Sequence, residues 1–163
     1  MKTSQRQAAR AKHARRYHAS REDMVAHNPV AQAMVRSRID ADLRALRTRA
    51  GIHAFTGGNA AALADACGRL VYVVAHAAGL HGLQDTPEAR ILLGTASALA
   101  DVAEAPASLD THRPAILSGL DACERLLPSL HTWSLAAGAL MLDAILAQRD
   151  FMMSDVRAAL GTV

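Results

Sequence analysis

Eight histidines, two cysteines and fifteen carboxylates are the side chains from which this chain would have to build acid/base, nucleophilic or metal chemistry. His76 and His81 flank the end of the apolar run GRLVYVVAHAAGL. Five residues on a helix turn through about 140°, so the two do not share a face. A metal site there needs Asp65, Cys67 or a second helix to complete its ligands. Asp110 and His112 stand together at a helix start as an acid/base pair, but capping by Asp110 explains that position equally well. The glycines of TGGN, Gly57 and Gly58, offer backbone N–H groups to an anion and serve equally as a turn. Cys67 and Cys123 sit in apolar helical pattern without CxxC or Cys/His spacing, so both are expected to be buried thiols of a reducing compartment. No GxxxxGK(S/T), HExxH, GxSxG or GxGxxG segment occurs. No catalytic residue, metal or cofactor is therefore expected. An enzyme or ligand-binding bundle would need a polar pocket around His76, His81 or Asp110.

The distribution of charge is more informative. Residues 1–50 carry 12 Lys or Arg against 4 Asp or Glu, a balance of +8, whereas the rest of the chain has 6 against 11, or −5. Sixteen of the eighteen basic residues are arginine, which a GC-rich coding bias explains. It does not explain their clustering. In AARAKHARRYHASRED, Arg10, Lys12, Arg15, Arg16 and Arg21 surround the single aromatic Tyr17. Projected at 100° per residue, with Arg6, these cations encircle the axis and leave no face to bury. Residues 1–27 are thus expected to form a basic arm, disordered until a partner orders it.

The elements that hold such an arm are helical throughout. Apolar residues make up 51% of the chain and aromatics only 3%, a mixture of alanine and leucine suited to close helix packing. The first strong helix starts at Asn28 as cap and Pro29, and closes at Gly51. Its stripe is Val35, Ile39, Leu43, Leu46 and Ala50, flanked by Arg36, Arg38, Arg44, Arg47 and Arg49. The second begins at a cap, Asn59, and turns Leu63, Cys67, Leu70 and Val74 inward with Arg69 outward. The third begins at Thr86 and Pro87, and the fourth spans about Thr111–Leu127, with Pro114 tolerated in its first turn and Pro128 marking its stop. The fifth covers SLHTWSLAAGALMLDAILAQRDF. That helix is apolar over the widest arc and is expected to be the most buried. SDVRAALG adds a short terminal helix. Gly68, Gly94, Gly119 and Gly138 lie inside these helices, where close helix contacts would offset a cost of about 1 kcal/mol each. Links this short force each helix to fold back on its predecessor. The expected fold is all-α: an antiparallel bundle of about four core helices over residues 28–163, preceded by the arm and the Arg-rich helix.

The N-terminus has no apolar leader, and no stretch reaches roughly 18 uninterrupted apolar residues, so a cytoplasmic chain without a membrane partner is expected. The segment HNPVAQAM, a helix, and then GGNAAALADACGRL resemble small helical proteins of prophages and plasmids from GC-rich proteobacteria. The resemblance covers the first half and assigns no site residue. It implies a mobile-element accessory protein of the kind that binds host machinery. Together these features point to a non-enzymatic protein whose Arg10, Lys12, Arg15, Arg16, Tyr17, Arg21, Arg36, Arg38, Arg44 and Arg47 meet an anionic macromolecular surface. That surface is an acidic protein or a nucleoprotein complex, which the chain would inhibit or regulate, or it is DNA or RNA directly. Against sequence-specific or single-strand recognition stand the missing helix-turn-helix pattern and the few aromatics available for stacking.

Overall fold

The computed structural model describes residues 27–52 and 57–161, and among these every regular element is helical. In chain order they are α1 (Pro29–Gly51), α2 (Gly57–Leu80), α3 (Pro87–Glu104), α4 (Leu109–Leu126), α5 (Thr132–Leu146) and α6 (Ser154–Ala159), with 3₁₀ turns at Pro106–Ser108 and Leu127–Ser129. Two starts follow directly from local chemistry. Asn28 Oδ1 accepts from the Val30 and Ala31 N–H groups at 3.0 and 3.2 Å, with Pro29 in the first helical position. Thr86 Oγ1 accepts from the Ala89 N–H at 3.3 Å, ahead of Pro87.

Two other starts differ from expectation. α2 begins at Gly57, so Asn59 lies inside its first turn and does not cap it. α4 begins at Leu109, directly off the turn started by Pro106, which places Asp110 within the helix. The Asp110 carboxylate pairs with Arg113 and suits the positive end of the helix dipole, whereas Ser108, the residue before α4, makes no side-chain cap. α5 stops at Leu146, short of Phe151, because the chain then turns toward α6.

The core is organised around α2, which packs against each of the other five helices. Leu63, Ala64, Cys67, Val71, Val74, Ala75, Ala77 and Ala78 have no exposed surface. This corrects the expectation that α5 is the most buried: Trp133 and Met141 on α5 are 46% and 41% exposed. The breadth of α5's apolar arc exceeds what its neighbours cover. α2 instead carries small residues on several sides, and these admit a helix at each. Asn59–Leu80 is long and apolar enough to cross a membrane, but 67% of its most apolar window is buried within the fold. Its hydropathy is that of a core helix.

Contacts along the helices show their directions. Glu88 near the start of α3 lies 3.3 Å from Arg125 near the end of α4, and Asp101 near the end of α3 lies 3.6 Å from His112 near the start of α4. These two helices are antiparallel. At the α2–α5 crossing, Gly138 approaches the Val73 backbone so closely that an added Cβ would stand 2.8 Å from Val73 O. At the α3–α4 crossing, Gly119 sits against Thr95, whose hydroxyl donates to Ile91 O at 2.9 Å and Ala115 O at 3.0 Å. Gly94 departs from the expected close packing, since nothing lies within 4 Å of its added Cβ.

The C-terminal segment closes the bundle. Arg149 grips Asp155 with both Nη atoms, and the Met152 N–H donates to Asp155 Oδ2 at 2.9 Å. Phe151 meets Tyr72 edge-on at 5.8 Å, and α6 packs on α2 and α3. The Arg149 hydrogen bonds hold the Asp155 carboxyl below its ordinary range against the opposing effect of burial.

Two tests follow from this packing. Gly138→Ala is expected to destabilise by about 1–3 kcal/mol through overpacking, while Gly94→Ala gains roughly 0.4–1 kcal/mol; urea unfolding measures both. Because the folded pKa of Asp155 is lowered, its stabilisation is complete at neutral pH and is lost as pH falls below the ordinary carboxylate range. Asp155→Asn should therefore lower the melting temperature at pH 7, with the difference from the parent chain shrinking towards about pH 3.

Candidate partner-binding surface

The stripe expected on α1 is its inward edge: Ile39, Leu43, Leu46 and Ala50 are buried and Val35 packs against them. The arginines beside that stripe divide into two sets. Arg36 Nη1 donates to Leu127 O at 2.9 Å and its Nε lies 3.6 Å from Asp40. Arg47 spans to α4, where it pairs with Asp121 at 2.8 Å and with Glu124. Both thus fasten α1 to α4 and its C-terminal turn. Arg38, Arg44 and Arg49 are exposed. Arg38, with 79% of its side chain exposed, is held by Asp42 one turn along at 2.9 Å, and Arg44 makes no ion pair among the described residues. Arg10, Lys12, Arg15, Arg16, Tyr17 and Arg21 lie outside the described residues.

Arg38, Asp42, Ala45 and Arg49 recur at spacings of four, three and four, which places them in one row along α1. That row forms the lip of a half-open groove of about 600 Å³ between α1, α2 and α5. Its floor is apolar, made by Val35, Ile39, Leu46, Leu70, Val73 and Leu142, and Met34 stands at one end with 69% exposure. Arg69 of α2 forms the opposite lip. Its Nη2 pairs with Asp65 at 2.8 Å, while its Nε is buried without an acceptor. Arg49 and Arg69 were not among the residues expected to bind a partner, because only the folded chain brings α1 and α2 edge to edge. The heptad-like spacing of Arg38, Ala45 and Arg49 was the one signal available.

His76 and His81 do not share a site. His76 stacks on Tyr72 at 6.0 Å, and burial lowers its pKa. His81 lies elsewhere, with its Nε2 3.1 Å from Ser134 Oγ and its ring 5.0 Å from His131 and 5.9 Å from Trp133. Ser134 has no exposed surface and its hydroxyl donates to His131 O at 2.7 Å, so it secures the entrance to α5 and is not placed as a nucleophile. Asp110 and His112 go to different partners, Arg113 and Asp101. Among the described residues no three His, Cys, Asp or Glu side chains are placed to hold a metal ion.

Comparison with protein-family models, with curated proteins and with solved structures finds no match to this chain.

Cys67 and Cys123 are free and buried, as expected. Burial pushes both thiols up to about 12, and the charge of Arg49 opposes this only partly at Cys67. Neither thiol is expected to react with an aromatic disulfide reagent at pH 8 in the native protein, and both should react in denaturant; rapid native labelling of either would contradict this packing.

Proposed function

We propose that this protein is a non-enzymatic binding protein that engages an anionic macromolecular surface through residues 1–27 and the outward arginines of α1. In this reading it is an accessory protein of a mobile element, and its target is an acidic protein or a host nucleoprotein complex that it inhibits or regulates. The observation that carries the reading is how α1 is mounted. One edge is fixed to α4 by Arg36 and Arg47, which leaves Arg38, Arg44 and Arg49 exposed on the helix that directly follows the basic arm. Guanidinium groups on a rigid helix present fixed donors to carboxylate or phosphate, and an adjoining cationic segment raises the encounter rate.

Among the described residues Trp133 is the only exposed Phe, Tyr or Trp, which weighs against stacking on single-stranded bases as the main interaction. Tyr72 is buried, and Trp133 lies beside His81, on α5.

The test compares the full chain with a chain lacking residues 1–27 and with an Arg38→Glu/Arg44→Glu double variant. Affinity capture from host lysate and gel shifts with purified DNA and RNA are read across a salt series. Loss of capture on arm deletion, and weakening by about tenfold in the double variant, supports the proposal. Unchanged capture in both overturns it. Retention of pure nucleic acid without protein, with affinity falling steeply between about 50 and 200 mM salt, would replace it with direct nucleic-acid binding.

A further inference from the structure

The C-terminal helix α6 is seated against α2 at two glycines. At Gly79 an added Cβ would collide with the Ala159 carbonyl oxygen of α6. About three turns earlier, at Gly68, it would stand 2.6 Å from Met153 Sδ and 3.0 Å from Phe151 Cε1. The Met153 thioether thus fills the volume that any side chain at position 68 would need. Val156 and Leu160 are buried as the segment packs on α2 and α3. A helix of six residues does not persist alone, so its place depends on these contacts and on the Arg149–Asp155 clamp. Met153 is nevertheless only half-buried. It lines a half-open cleft of about 160 Å³ together with Leu93, Ala96, Ser97 and Ser154, well above the roughly 15 Å³ that a water-sized molecule needs. A small oxidant can therefore reach the residue whose sulfur holds α6 to α2.

We infer that Met153 is a modification site, a peroxide-sensitive latch whose oxidation to the sulfoxide releases α6 from α2. In the reaction the thioether sulfur attacks one oxygen of hydrogen peroxide, so that an S–O bond forms as the O–O bond breaks. Sulfur is oxidised by two electrons and the peroxide is reduced; the hydroxylated sulfur gives its proton to the departing hydroxide, which leaves as water. The product is bulkier and carries a strong dipole where the thioether made an apolar contact. At Gly68 the surrounding N–H groups of α2 are committed to its helical hydrogen bonds, so a sulfoxide oxygen in the notch would be desolvated without a donor. Turning that oxygen into the cleft instead draws the sulfur out of the notch. Either way α6 loses the contact at one end of its seat. Met152, although 59% exposed, is a different case, since its oxidation leaves the notch filled by Met153.

The test treats the full chain with hydrogen peroxide, locates sulfoxides by peptide mass spectrometry, and follows amide hydrogen exchange in α6 and α4. Conversion of Met153 should speed exchange across Ser154–Ala159 about tenfold while α4 keeps its protection. Methionine sulfoxide reductases, one for each epimer, should restore the slow exchange. Met152→Leu is expected to respond to peroxide as the parent chain does, and Met153→Leu to show no response. Circular dichroism confirms that each variant is folded. If Met153→Leu loosens α6 by itself, the Met152→Leu chain decides, because in it the exchange of α6 must rise in step with the fraction of Met153 converted. Unchanged exchange in α6 after full conversion of Met153 overturns the inference. So does a thioether at Met153 that peroxide oxidises only in denaturant, since the cleft would then give no access. Equal loss of protection in α4 and α6 also overturns it, because oxidation would then unfold the whole bundle and release no latch.

Discussion

The fold depends on one helix that tolerates neighbours on every side. α2 has Ala64, Ala75, Ala77 and Ala78 fully buried alongside Leu63, Val71 and Val74, and five helices pack on it. Small side chains allow close backbone approach, and the limiting case is Gly138 of α5 against the Val73 carbonyl. A chain with so few aromatics cannot fill wide gaps between helices, so dispersion contacts must come from short interaxial distances. The C-terminal clamp at Arg149 and Asp155 completes that scheme by holding α6 over a part of α2 that α5 does not cover.

The mounting of α1 follows from the same constraint. Its inward stripe meets α2, α4 and α5, but it is fastened by polar groups chiefly along the α4 side, where Arg36 reaches Leu127 O and Arg47 reaches Asp121 and Glu124. The seam facing α2 and α5 holds the apolar groove. Bulkier side chains could close it, but α1 offers Ala45 there and α5 offers Ala139. The groove is thus the complement of close packing elsewhere: alanines that let helices approach within the core leave space where two helices diverge.

Much of this was legible in the sequence because it is local. Asn28–Pro29 and Thr86–Pro87 mark their helix starts through hydrogen bonds within three residues, and the Ile39–Leu43–Leu46–Ala50 stripe identifies the buried edge by periodicity alone. Asp110 misled because a Pro-initiated 3₁₀ turn moved the start of α4 upstream, a shift that depends on how the turn packs. The relative burial of α2 and α5 was illegible for a related reason. Hydropathy reports what a helix can bury, whereas burial depends on how many neighbours reach it, and Trp133 remains partly in water although it is the largest apolar side chain on α5. Arg69 as a groove residue required the α1–α2 pairing, since the two helices meet residues far apart in the chain.

Counting arginines also overstates the field that α1 presents. Arg36 and Arg47 are committed to the molecule's own acceptors and Arg38 shares its charge with Asp42, so the helix is less cationic outwardly than its composition suggests. In the proposed complex, long-range attraction then comes mainly from the arm, where charges cluster without nearby carboxylates except Glu22 and Asp23. Charges in contact with solvent are screened over about 8 Å at physiological ionic strength and act chiefly on the encounter rate. In the proposed complex, added salt therefore acts first on association.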